Sequence, residues 1–71
     1  MDVKEIGIKI TERRKELEIT QDLLSELSGI SKNTVYKVER GQANPSIKIL
    51  NQIFDILGLE FLVQVIKPNS L

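Results

Sequence analysis

The stretch TQDLLSELSGISKNTVYKVERG, residues 20–41, contains two short helical patterns separated by a single glycine. Thr20 and Ser31 precede the two patterns, and such side chains accept hydrogen bonds from the free backbone N–H groups that begin a helix. Gly29 permits the left-handed backbone of a sharp turn, and Gly41 stands where glycine commonly ends a helix. We therefore predict two helices joined by a tight turn.

Two further helices flank this pair. Asp2 can cap the first, whose apolar residues recur at helical spacing from Val3 to Leu17. Ser46 can cap the last, whose apolar residues recur until Gly58 ends the pattern. The fold class predicted is all-α, a compact four-helix domain over residues 1–59, with helices at residues 3–17, 21–28, 32–40 and 47–57.

The C-terminal segment changes character after the fourth helix. Its run EFLVQVI, residues 60–66, is rich in β-branched and aromatic residues, and Pro68 ends it. A lone strand leaves unpaired backbone groups that a second copy of the chain can satisfy. We predict a short C-terminal β-strand within residues 60–71 that pairs across a homodimer, while a tail packed on the fourth helix or partly disordered remains the alternative. The dimer-forming residues would be Phe61, Leu62, Val63, Val65 and Ile66.

Length and composition exclude several classes of protein. Seventy-one residues support one domain with a small core, since a chain of this size buries only about 60% of its surface on folding. Cys and His are absent, which excludes disulfides, thiolate chemistry and the usual zinc sites, so no metal or cofactor is expected. The amphipathic, acid-containing N-terminus resembles neither a signal peptide nor a membrane span. We expect a cytoplasmic protein with no membrane partner.

Charge is unevenly distributed along the chain. Ten basic and ten acidic residues give a net charge of zero, which is unusual for a nucleic-acid-binding protein. Residues 32–48, however, contain four basic residues and one acidic residue. The net positive charge is therefore concentrated on the third predicted helix, and the fourth basic residue, Lys48, lies at the start of the last predicted helix.

This arrangement has the geometry of a helix-turn-helix, in which the second helix enters the major groove of double-stranded DNA. If Val35 and Val38 face the core, the opposite side of the helix is exposed. Lys32 or Lys37 could then bond guanine and Asn33 could bond adenine, whereas a merely solvated basic face is the alternative. Other side chains would contact bases, phosphate or a thymine methyl group, namely Ser31, Thr34, Tyr36 and Arg40.

The longer stretch TQDLLSELSGISKNTVYKVERGQANPS resembles the phage-repressor or XRE-type helix-turn-helix family over about residues 5–59. The residues in register with the family pattern are Gln21, Leu24, Gly29, Ser31, Val35, Val38, Glu39, Gly41, Pro45 and Leu57. The resemblance implies that Gln21 clamps a phosphate at the start of the second helix. It also implies that Arg14 and Glu39 form a structural ion pair, and Asn44 completes the predicted DNA-binding set.

Several positions depart from the family pattern. Glu18 replaces a common glycine and would cost about 1 kcal/mol in a left-handed conformation. Ser25 replaces the usual small alanine and is still small enough for the helices to pack. Leu23 and Leu27 occupy positions that are commonly polar, and they either extend the core or form an exposed apolar stripe for a second protein.

The C-terminal segment LGLEFLVQVI is similar to that of HipB-type antitoxins, which implies a HipA-type kinase toxin as a possible partner. The leading functional hypothesis is a dimeric transcriptional repressor that binds an inverted-repeat operator. The alternative is a protein-interaction module of the same fold without DNA binding. We predict no enzymatic activity, because Asp22 and Glu26 lack the His, Cys or phosphate-binding loop that catalysis would need.

Overall fold

The computed structural model of the protein describes residues 2–67 and contains four helices. They are α1 (Val3–Glu16), α2 (Gln21–Ser28), α3 (Lys32–Glu39) and α4 (Ile47–Leu57). The all-α, four-helix prediction is confirmed, and each observed boundary lies within one residue of the predicted one. No helix in this described part of the chain is long and apolar enough to cross a membrane.

Every helix begins at a side-chain cap, because Asp2, Thr20, Ser31 and Ser46 each accept a hydrogen bond from the backbone N–H three residues later. These four bonds measure 2.9, 3.0, 3.2 and 3.1 Å in chain order. Each cap satisfies a backbone donor that a helix leaves free at its first turn. The local sequence therefore sets where the helices start.

The core draws on all four helices. Ile10, Leu24, Val35, Ile53 and Leu57 are fully buried. Burial of these apolar side chains is the main force that holds so small a domain together. Leu17, which belonged to the predicted apolar pattern of α1, is exposed just beyond its end. Leu23 and Leu27 on α2 are also exposed, which agrees with the apolar stripe and not with an extended core.

Two details of the α1–α2–α3 packing were not visible in the sequence. A Cβ atom at Gly7 would lie 2.5 Å from the carbonyl oxygen of Val38 and 2.6 Å from that of Glu39. Only glycine lets α1 approach the end of α3 this closely. Ser25, predicted only to be small enough to pack, also donates a hydrogen bond from its hydroxyl to the backbone carbonyl of Ile30 across the turn.

The connection after α1 contains the backbone strain that the sequence indicated. Glu18 has a φ of +57°, in the left-handed region that non-glycine residues rarely adopt. Arg14 donates to the backbone carbonyl of Ile19 at 3.0 Å, so the chain just beyond this residue is anchored to α1. The strain at Glu18 is therefore held in place by neighbouring contacts.

Residues 59–67 form no strand in the single chain, and the predicted pairing of this segment across a homodimer stays a prediction. A strand needs a hydrogen-bonding partner, and residues 2–67 of one chain offer none to this segment. Instead, the ring of Phe61 lies 4.6 Å from the ring of Phe54 on α4, centroid to centroid. The apolar residues Leu62, Val63, Val65 and Ile66 are 72–101% exposed. Pro68 and the rest of the predicted 60–71 segment lie outside the described residues.

Candidate nucleic-acid interface

Helix α3 divides into a buried side and an exposed side. Val35, Val38 and Glu39 are buried, and successive residues of a helix are about 100° apart. The exposed residues therefore occupy one continuous arc on the opposite side. We call this arc the recognition face, and it consists of Lys32, Asn33, Tyr36, Lys37 and Arg40.

The C-terminal end of the recognition face carries a cation and an aromatic ring in contact. The guanidinium carbon of Arg40 lies 5.5 Å from the centroid of the Tyr36 ring, within the range of a cation–π interaction. This contact limits the orientations of both side chains while leaving the donors of Arg40 exposed. Asn44 lies nearby in sequence, exposed in the loop between α3 and α4.

The two hydroxyl residues at the start of α3 are already hydrogen-bonded to each other. Ser31 Oγ accepts from the backbone N–H of Thr34 at 3.2 Å and donates to Thr34 Oγ1 at 2.9 Å. Both hydroxyls thus stabilise the first turn of the helix. The structure places these predicted contact residues beside the recognition face, with their oxygens engaged in the cap.

Lys32 forms an ion pair that sequence reasoning missed. Its Nζ lies 2.8 Å from Asp22 Oδ1, which links the first turns of α2 and α3. The two side chains are 64% and 69% exposed, so the pair contributes only about 0–1 kcal/mol to stability. Helical spacing alone does not reveal a contact between residues ten positions apart, so the pairing of Asp22 with Lys32 was not predicted.

On the buried side, the carboxylate of Glu39 binds three other side chains. Arg14 donates from Nε to Oε2 at 2.7 Å and from Nη2 to Oε1 at 3.0 Å. Thr11 Oγ1 and Gln21 Nε2 donate to Oε1 at 3.0 and 3.1 Å. The structure thus brings together the predicted pair of Arg14 and Glu39, and adds Thr11 and Gln21, which the sequence did not indicate. One carboxylate connects α1, α2 and α3.

These contacts determine the charge state of the carboxylate. Burial raises the pKa of Glu39, but hydrogen bonds from Arg14, Gln21 and Thr11 and the charge of Arg14 lower it, and the net pKa lies below the ordinary value. The hydrogen bond to Glu39 is also the main reason that the pKa of Arg14 is raised. Both groups are therefore charged at neutral pH.

Gln21 has a structural contact in addition to its predicted role. It is half-buried at the first position of α2, with one amide N–H on Glu39. The second amide N–H remains for another acceptor. Because the backbone N–H groups of a first helical turn also favour anions, this end of α2 can receive a phosphate without losing the Glu39 contact.

The helix-turn-helix family model matches residues 10–63, about three quarters of the chain. The chain belongs to the XRE-type helix-turn-helix family. It is a DNA-binding transcriptional regulator, and this family is not enzymatic. The family model and the similar proteins do not support the HipB-type assignment, and the strand that favoured it is not formed among the described residues.

Three known proteins are similar to this chain in sequence or in structure. An uncharacterised HTH-type transcriptional regulator of Methanothermobacter thermautotrophicus is 36% identical over 56 residues, which cover 79% of this chain and 81% of that protein. A putative regulatory protein of Methanococcus maripaludis is 36% identical over 53 residues, 75% of this chain but 16% of that protein. The crystal structure of the restriction-modification controller protein C.AhdI of Aeromonas hydrophila superposes on this chain with a TM-score of 0.77 and 31% sequence identity. The matched part covers 82% of this chain and 88% of C.AhdI.

Proposed function

We propose that the protein is a transcriptional repressor that binds an inverted-repeat operator in double-stranded DNA as a homodimer. The observation that carries the proposal is the recognition face, with five polar side chains exposed on α3 and its C-cap residue, opposite the buried side of the helix. Folding does not require those side chains, because the core and the Glu39 contacts use the other side of the helix. An α-helix of this size fits the major groove of B-DNA.

The proposed contacts divide between bases and phosphates. Asn33 and Lys37 lie one turn apart on the exposed arc. Asn33 can pair with adenine, and Lys37 can donate to guanine O6 and N7. Gln21 contacts a phosphate through its free amide N–H and the N-terminus of α2. Arg40 and Asn44 contact the backbone beyond the C-terminal end of α3.

Exposed apolar residues of the C-terminal tail support the dimer. We define this tail as residues 59–67, in which Leu62, Val63, Val65 and Ile66 are exposed. Such a cluster is unfavourable in water unless a second surface covers it. The tail borders an apolar groove of about 440 Å³ that includes Ile6 of α1 and Phe54 of α4. We propose that two tails pair about a twofold axis, so that each takes up the strand conformation that its sequence favours.

The antitoxin alternative is not part of this proposal, because none of the similar proteins described above supports it. A pure protein-interaction module would use the exposed Leu23 and Leu27 on α2 and would leave the recognition face without a role. Retention of Asn33 and Lys37 on that face favours DNA binding. The two functions are separated by one binding experiment.

That experiment is selection of the purified full-length protein on random duplex DNA at moderate salt, followed by sequencing of the retained fraction. We expect enrichment of an inverted repeat whose half-sites are about one helical turn apart. Absence of any enriched sequence would contradict the proposal and favour the interaction module. A single enriched half-site without a repeat would contradict the dimer.

Two substitutions test the proposed contacts. Lys37→Ala should relax base preference at one position of each half-site, whereas Gln21→Ala should weaken binding to all sequences alike. Lys15→Ala is a matched control for the lysine, since Lys15 is exposed on α1 outside the proposed interface. Thermal unfolding of Gln21→Ala is measured alongside, because this variant also loses the hydrogen bond to Glu39. If both variants bind every DNA sequence as tightly as the parent, α3 is not the helix that contacts the bases.

Removal of residues 62–71 tests the dimer while keeping Phe61 on Phe54. We expect the shortened protein to sediment as a monomer and to bind a full operator more weakly than the parent, with binding to a half-site unchanged. A dimer of unchanged stability would exclude the tail as the dimer contact.

A further inference from the structure

The Asp22–Lys32 ion pair lies next to the surface that we propose for DNA. Asp22 directly follows Gln21, the proposed phosphate contact, and Lys32 is the first residue of the recognition helix. A carboxylate beside phosphates is unfavourable for DNA binding, and an ion pair this exposed contributes little to folding. Neither stability nor general affinity for DNA explains the arrangement.

Lys32 is distinct among the basic residues of its segment. Residues 32–48 contain four of them, and within this described segment Lys37, Arg40 and Lys48 have no carboxylate within 4.0 Å. The Nζ of Lys32 lies 2.8 Å from Asp22 Oδ1. One cation at the N-terminal end of α3, where recognition helices usually contact base edges, is therefore restrained.

The donor count of the ammonium group fits this restraint. A lysine ammonium has three N–H donors and no acceptor. Asp22 takes one of them, and guanine presents two acceptors, O6 and N7, on its major-groove edge. Held by Asp22, the ammonium can satisfy one guanine completely, while its reach to phosphates on either side is limited.

We propose that Asp22 is a positioning residue that sets DNA sequence specificity by aiming Lys32 at a guanine in each half-site and keeping it off the phosphates. The inference rests on the proposed function. Asp22 raises the ratio of operator affinity to nonspecific affinity in two ways. It lowers nonspecific binding by withholding one phosphate contact, and it favours operator binding because Lys32 is already oriented.

The test is Asp22→Asn, which keeps the shape of the side chain and removes its charge. The full-length variant and the parent are titrated against the selected operator and against a scrambled duplex over a range of salt concentrations. Freed Lys32 should gain one phosphate contact on the scrambled duplex. Since each contact changes the slope of log affinity against log salt by about −0.9, nonspecific affinity at 0.1 M salt should rise about eightfold.

We therefore expect the specificity ratio of Asp22→Asn to fall about eightfold or more and the nonspecific salt slope to steepen by about one. Preference for guanine at one position of each half-site should weaken. Asp55→Asn on α4 is the matched control, since Asp55 is exposed and its substitution changes the net charge equally. This control should leave the specificity ratio and both salt slopes close to those of the parent.

A second background separates action through Lys32 from direct repulsion of DNA. In Lys32→Gln protein, Asp22→Asn should leave the specificity ratio unchanged, because loss of the carboxylate then affects the operator and the scrambled duplex alike. A change of the specificity ratio that persists in this background, or equal effects of Asp22→Asn and Asp55→Asn on that ratio, would overturn the inference. A parent protein without sequence preference would instead overturn the proposed function, and the inference with it.

Discussion

Substitution of Arg14 by methionine should remove much of the stability of this domain at neutral pH. The Arg14 and Glu39 side chains are 13% and 4% exposed, so the substitution leaves a carboxylate that water can hardly reach. Methionine fills a similar space but donates no hydrogen bond, and only Thr11 and Gln21 still contact Glu39. The remaining buried charge, rather than the lost ion pair itself, causes the destabilisation.

The expected magnitude is large for so small a protein. Removal of one partner of a buried ion pair costs about 3–5 kcal/mol. A 71-residue domain has a free energy of unfolding of about 4–11 kcal/mol, from about 0.05–0.15 kcal/mol per residue. The loss therefore ranges from about a quarter of the parent's stability to all of it, with a correspondingly lower urea midpoint.

The pH dependence tests the mechanism. The pKa of Glu39 is lowered in the folded protein, so its contribution to stability is present above the unfolded pKa of about 4.3 and is lost as pH falls through the lower folded value. Once Glu39 is protonated, it needs no counter-charge. The difference in unfolding free energy between parent and Arg14→Met should therefore shrink as pH falls from 7 towards 3.

Urea titrations monitored by circular dichroism at several pH values provide the measurement. Lys15→Met is the control for loss of an exposed charge on α1 and should change stability by less than about 0.5 kcal/mol. Adding Glu39→Gln to Arg14→Met removes the buried charge and should recover part of the loss. A cost below about 1 kcal/mol at pH 7, or an equal cost at pH 7 and pH 3, would refute the reasoning.

Three further substitutions test the packing of the helices and the tail. Gly7→Ala should lower the free energy of unfolding in urea by about 3 kcal/mol, because its Cβ would overlap the carbonyl oxygens of Val38 and Glu39. A variant more stable than the parent would contradict this close approach. Glu18→Gly should raise the unfolding free energy by about 1 kcal/mol by relieving the left-handed backbone, whereas a lower value would show that the strain is compensated locally. Phe61→Ala should lower the free energy of unfolding, measured by thermal unfolding, by about 0.5–1.5 kcal/mol through loss of the contact with Phe54. An unchanged melting temperature would show that the tail is not anchored.

The helices could be predicted from sequence because their signals are local. Ser31 and Ser46 act on backbone groups only three residues away, and Gly29 and Gly58 adopt the left-handed conformation at the helix ends. The buried side of α3 follows from the spacing of Val35 and Val38, and its exposed side follows from the same spacing. The recognition face was therefore predictable residue by residue.

Other features depend on contacts between distant parts of the chain. The need for glycine at position 7 comes from the backbone of α3, and the bond from Gln21 to Glu39 spans 18 residues. The Asp22–Lys32 pair likewise depends on the angle between α2 and α3. The predicted strand is absent from residues 59–67 of the single chain for the opposite reason, since a local preference for β structure has no effect until a second strand provides hydrogen bonds.

The buried side of α3 also bears on how such proteins diversify. Val35, Val38 and Glu39 hold this helix in place, and no side chain of the recognition face takes part in their contacts. The five outward residues can thus be exchanged as a set while the scaffold is retained. Transplanting them onto a related four-helix chain should transfer the DNA sequence preference of this protein to a recipient that keeps its own stability.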